Sequence, residues 1–193
     1  MKVAVLGMIL FLFSCQIDKN SVRIEQQDSN YQVMIWANDS IDKIVSVYCH
    51  LVYDVQKLAF RKVWFYNPSQ FENSDYSYYK EEWSGRPLEY DDNGIPRVIE
   101  PNDDRKMLSR QKNQYLVKTI HIMDTSFAVQ QIFRPYLERM KAEGKDTLHI
   151  GSIQQLKLTN PDLINNLLQR DSIEFVFGRD DRRHAIYLPI EVR

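Results

Sequence analysis

Between Trp64 and Tyr90 the chain sets nine aromatic residues, Trp64, Phe65, Tyr66, Phe71, Tyr76, Tyr78, Tyr79, Trp83 and Tyr90, in 27 positions. From Phe71 onward they stand among Asn, Asp, Glu, Ser and Arg rather than in an apolar stripe. Such rings suit a ligand with apolar faces and hydroxyl edges, as in a glycan, or a protein partner. Tyr76, Tyr78, Tyr79, Trp83 and Tyr90 are therefore the candidate ligand-binding residues. The alternative is that the rings roll back over the core as a cover, and composition alone leaves both readings open.

Residues able to carry catalysis are scattered. His50, His121, His149 and His184 all fall in expected strands, but none lies three to five positions from another, and there is no H-E-x-x-H. No G-x-S-x-G elbow surrounds a serine, and the six glycines form no phosphate-cradling loop. Glu81 and Glu82 are adjacent, which does not place two carboxylates across a cleft. Asp91-Asp92-Asn93-Gly94 offers oxygen ligands but lacks the alternating acids and distal Glu of a calcium loop, so it reads as a turn. These patterns predict no metal, no cofactor and no assigned catalytic residue, and lean away from an enzyme.

The amino terminus carries a different chemistry. Lys2 precedes an apolar run, Val3 to Phe13, too short to span a bilayer, and the chain turns polar at Gln16. Leu12-Phe13-Ser14-Cys15 resembles the lipobox of bacterial lipoproteins, with an aliphatic residue, a small residue before the cut, and a cysteine. The resemblance implies that residues 1–14 are a signal peptide, that Cys15 is the lipid-attachment site, and that two or three acyl chains hold the protein to a membrane, since stable anchoring takes more than one chain. With Gln16 rather than Asp after the cysteine, it points to the cell envelope of a Gram-negative bacterium, at the outer membrane.

Composition narrows the partners. The formal net charge is −1, from 25 basic and 26 acidic residues, so no basic face invites nucleic acid. With Cys15 carrying lipid, Cys49 has no disulfide partner, and its alternation with Val45, Val47, Leu51 and Tyr53 predicts an inert thiol buried on one strand face. Stability must then come from a hydrophobic core, which a chain of this length can build.

Several elements must position these residues. Residues 15–22 read as a tether and 23–193 as one globular domain, with a first strand near Ser21 to Gln26. Tyr31 to Ala37, Lys43 to Tyr53 and Leu58 to Tyr66 read as strands, with a turn at Asn38-Asp39-Ser40. Over 67–113 the pattern lapses into an irregular excursion, with a short polar helix at Asp103 to Lys112 as its best local candidate. Gln114 to Met123 returns as a strand. Val129, Ile132, Phe133, Tyr136, Leu137 and Met140 then form a helical stripe stopped by Gly144, with Pro135 predicting a kink or two abutting helices. Thr147 to Gly151 reads as a strand. Ser152 with Gln155 forms a capping pattern, and Asn160-Pro161 starts a further helix carrying Leu163, Ile164, Leu167 and Leu168. Ser172 to Gly178 and His184 to Val192 close the chain as a hairpin, with Pro189 asking for an edge.

The expected fold is therefore α+β, mostly antiparallel sheet, with strands at both ends of the chain and two or three helices in its third quarter. The expected function is a membrane-anchored, non-catalytic binding or interaction lipoprotein with a glycan or protein partner. A lipid-anchored hydrolase of envelope or extracellular polymers is the alternative, and a structural envelope component the third reading.

Overall fold

The computed structural model describes residues 22–58, 63–65, 69–71, 82–83, 87–90, 96–98, 106–107, 113–179 and 182–192. Its strands are β1 (Val22–Gln27), β2 (Gln32–Asn38), β3 (Lys43–Lys57), β4 (Trp64–Phe65), β5 (Ser69–Phe71), β6 (Glu82–Trp83), β7 (Pro87–Tyr90), β8 (Pro96–Val98), β9 (Lys106–Met107), β10 (Asn113–Ile122), β11 (Thr147–Ser152), β12 (Ser172–Arg179) and β13 (Arg182–Pro189). The helices are α1 (Phe127–Glu143), α2 (Ile153–Thr159) and α3 (Pro161–Leu168). The α+β expectation holds, with an antiparallel sheet dominant and the three helices lying between residues 127 and 168, later than the third quarter alone.

β3 is the spine of the larger sheet, whose order is β11-β2-β3-β10-β7-β8. β2 and β1 share one edge of β3 end to end, Met34 opposite Tyr48 and Gln27 opposite Val52, while β10 follows the other edge from Ser46 to Val55. The register slips between Trp36 and Ala37, so Val45 is an extra residue on β3. This bulge explains why Ile44, Val47, Cys49, Leu51, Tyr53 and Val55 are buried while Val45, expected in their phase, is half-buried. Cys49 is fully buried, as its neighbours predicted.

The smaller sheet, β6-β5-β12-β4-β9 with β13 on β12, shares its core with the larger one. Ile173, Phe175 and Phe177 of β12 point inward, and the Phe175 ring meets Tyr53 of β3 edge-on at 5.0 Å. The helices complete that core. Val129, Phe133 and Met140 of α1 and all four predicted leucine and isoleucine positions of α3 are buried.

Local chemistry accounts for the helix ends. Gly144 takes φ 63° and ψ 39° at the end of α1, the left-handed stop that glycine adopts without strain. Ser152 Oγ accepts from the Gln155 N–H while Gln155 Oε1 accepts from the Ser152 N–H, the reciprocal box expected from their spacing. Asn160 caps α3 by accepting from the Leu163 N–H, with Pro161 in the first turn. α1 runs as one helix with Pro135 inside it, not as two abutting helices.

The middle of the chain differs from expectation. Five short strands, β5 to β9, occupy parts of 67–113, and Lys106–Met107 is strand where a polar helix was expected. The expected strand over Leu58 to Tyr66 is described only at β4. Val22, assigned to the tether, is the buried first residue of β1. Residues 1–21, which hold the expected signal peptide, Cys15 and the rest of the expected tether, lie outside the described residues. Among the described residues no helix is long and apolar enough to cross a membrane.

Candidate functional site

Alternation along β2, β3 and β10 sends one set of side chains into the core and the other to the far face of the larger sheet. On β2, Val33, Ile35 and Ala37 go inward, leaving Met34 and Trp36 outward, with Trp36 40% exposed. Register then assembles an outer face. Met34 lies opposite Tyr48, which lies opposite Ile120, and His149 of β11 is opposite Met34 on the other side. His50 is opposite Lys118, whose Nζ sits 4.3 Å from the centroid of the Tyr48 ring. The Tyr31 ring lies 5.8 Å from that of His50, tilted by 42°.

The result is a sheet-borne patch of rings and thioether edged by imidazole and ammonium. Burial lowers the His50 pKa below its ordinary value; a backbone hydrogen bond with Gln32 opposes this, and the nearby positive groups Lys118 and His149 add to the lowering. His50 is therefore neutral at pH 7, and its Nδ1 is buried without a hydrogen-bond partner among the described residues. The face closes toward the other end of β3, where Val52, Asp54 and Leu116 are buried. The opening is thus local to Trp36 and Tyr48.

Of the expected binding residues, only the backbones of Trp83 and Tyr90 are described. Tyr76, Tyr78 and Tyr79 lie outside the described residues. Trp83 belongs to β6, paired with Gln70 in the smaller sheet, whereas Tyr90 belongs to β7–β8 pairing, opposite Pro96, in the larger one. Their backbones are thus carried by different sheets. Trp36 and Tyr48 sit inside strands whose texture points to burial, although the inward set Val33, Ile35 and Ala37 implies an outward tryptophan.

Among the described residues the nearest approach to a catalytic arrangement is in the core. Thr119 Oγ donates to the Cys49 carbonyl at 3.3 Å and lies 3.3 Å from His121 Nε2, and His121 Nδ1 lies 3.5 Å from Asp171 Oδ2. A hydroxyl, an imidazole and a carboxylate in line would suit nucleophilic attack if substrate could reach them. Thr119 and His121 have no exposed surface and Asp171 is 1% exposed, so the line serves packing and polar satisfaction. Among the described residues no three His, Cys, Asp or Glu side chains cluster as a metal site would require.

No family model matches the chain, and neither a curated protein nor a solved structure shows significant similarity to it. The site is therefore interpreted from its own geometry.

Proposed function

We propose that this protein is a non-catalytic binding lipoprotein of the bacterial envelope, anchored through Cys15, that presents the outer face around Trp36 and Tyr48 to a protein partner. The observation that carries the reading is the exposure of Trp36, 40% on a strand whose inward neighbours are fully packed. A large ring left in water on a rigid sheet loses little entropy on docking, and Trp and Tyr dominate the energy of protein contacts. Met34 and Ile120 beside the rings favour a protein over a glycan, because they extend the apolar contact beyond what a sugar ring covers.

Photo-crosslinking from the native host tests the reading. A benzophenone amino acid at Trp36 is expected to give a discrete, ultraviolet-dependent protein adduct. The same group at Leu158, 85% exposed on α2, is expected to give none. Equal adduct patterns from both positions would remove the outer face as the contact surface.

A further inference from the structure

β11 is the outermost strand of the larger sheet, and among the described residues no strand pairs with its far edge. One hydrogen bond fixes which peptide groups face that edge. The Ala37 N–H donates to the Asp146 carbonyl at 2.8 Å, so these two residues face each other, and the next pair to do so along the register is Ile35 with Leu148. Thr147 and His149 alternate with them. Their N–H and C=O groups therefore point away from β2, into the open edge.

The sequence leaves this edge without a charged guard. Exposed edges commonly carry lysine, proline or an inward charge against pairing, yet Thr147-Leu148-His149-Ile150 has no proline, carboxylate, lysine or arginine. The open rung is also bounded at both ends. The Lys145 N–H is taken by the Met140 carbonyl at 3.0 Å, and beyond His149 the register shifts, with Gly151 at φ 113°. What remains is a donor and an acceptor at Thr147 and the same at His149. Such a segment is its own complement. Turned about a two-fold axis at Leu148, Thr147 of one copy meets His149 of the other and His149 meets Thr147, which makes four N–H to C=O bonds.

We propose that the protein pairs with a second copy of itself through β11, antiparallel, about a two-fold axis at Leu148. Centring the pairing on Thr147 would need the Lys145 peptide, and centring it on His149 would need the irregular Gly151. The axis stands perpendicular to the sheet, so the outer faces of the two copies lie on the same side. Cross-strand register then runs one row from Trp36 through Thr147 to His149 and Met34 of the second copy, and the symmetry mate of that row runs back. Three strand spacings, about 14 Å, separate the strands that carry the two Trp36 rings. A second copy is favoured over an unrelated strand because the rotation that pairs the edges also joins the two outer faces. Thr147 and His149 keep their side chains on that open face, so pairing leaves the Trp36 surface free. The inference needs neither the anchor at Cys15 nor the partner at Trp36.

Sedimentation of the full-length protein in density-matched detergent, with micelles in excess, tests the pairing. The expected particle holds two chains at micromolar protein. Thr147→Pro removes one edge-facing N–H from each copy at the first residue of β11, where the ladder to β2 does not use it. It is expected to weaken the dimer at least about tenfold, with the circular dichroism spectrum unchanged. His149→Pro removes the other edge-facing N–H and is expected to do the same, so a folding defect in one variant leaves the other as the test. Mild oxidation reads the register. Thr147→Cys mixed with His149→Cys is expected to give a disulfide joining 147 to 149, identified by mass spectrometry of the linked peptides, because opposed positions of this kind lie about 5.5 Å apart at Cα. Either variant alone is expected to give no such link. A parent that sediments as one chain would overturn the pairing. So would a dimer that survives both proline variants, or linkage at these positions formed equally by the single cysteine variants.

Discussion

The carboxylate of Asp171, at the head of β12, lies against the imidazole of His121 in β10, so a polar contact crosses the seam where the smaller sheet meets the larger one. Both side chains are fully buried, and the Asp171 backbone is held at the same time by Leu168 and Ile190. Removing one member of a buried pair strands the other without solvent, a cost of about 3–5 kcal/mol. His121→Ala and Asp171→Ala should each lower unfolding free energy in urea by that order. The double variant should lose much less than the sum, and additive losses would mean that the two residues act separately.

Ser152 and Gln155 give a smaller and more local prediction. Ser152→Ala removes the oxygen that accepts from the Gln155 N–H at 3.2 Å and should cost about 1 kcal/mol by denaturant midpoint. Gly151→Ala should cost more, because Gly151 holds φ 113° and an added Cβ would meet Gln155 Oε1 at 3.1 Å. A neutral Gly151→Ala would show that this turn relaxes freely.

His50 makes stability fall with acid. Its pKa is lowered in the folded chain, chiefly by burial, so below its ordinary pKa of 6.5 the unfolded chain takes up the proton more readily. The stability that His50 contributes is complete above that value and is lost as pH falls toward the depressed folded pKa. His50→Gln should flatten this part of the pH profile of the melting temperature. An unchanged slope would assign it to other groups.

These predictions also mark what could be read from the chain before its structure. Asn160 with Pro161, and Ser152 with Gln155, were legible because caps are decided within four residues. The stripe from Val129 to Met140 was legible because one buried face repeats over three turns. Strands such as Glu82–Trp83 and Lys106–Met107 are two residues long and have no period to detect; long-range pairing alone makes them strands. The Val45 bulge hid only the change of phase at Ile44, which is buried out of step with Val47, Cys49 and Leu51; the outward place of Tyr48 follows from that alternation itself.

Trp36→Ala tests the outer face without threatening the fold. Because the ring is 40% exposed, its loss should lower stability by about 1 kcal/mol or less, well below a core truncation. Partner adducts captured from a benzophenone placed at His149, the neighbouring exposed position, should fall sharply in the same variant. Undiminished adducts would show that the tryptophan contributes nothing to contact.

The proposed anchor at Cys15 would determine where any partner must be met. Intact-mass analysis of the protein purified from native membranes is the most direct measurement. The account predicts a chain beginning at Cys15, with residues 1–14 gone and the mass of a diacylglyceryl group, with or without a further acyl chain, at that residue. A chain that retains its leader, or one that begins at Cys15 with a free thiol, would contradict it.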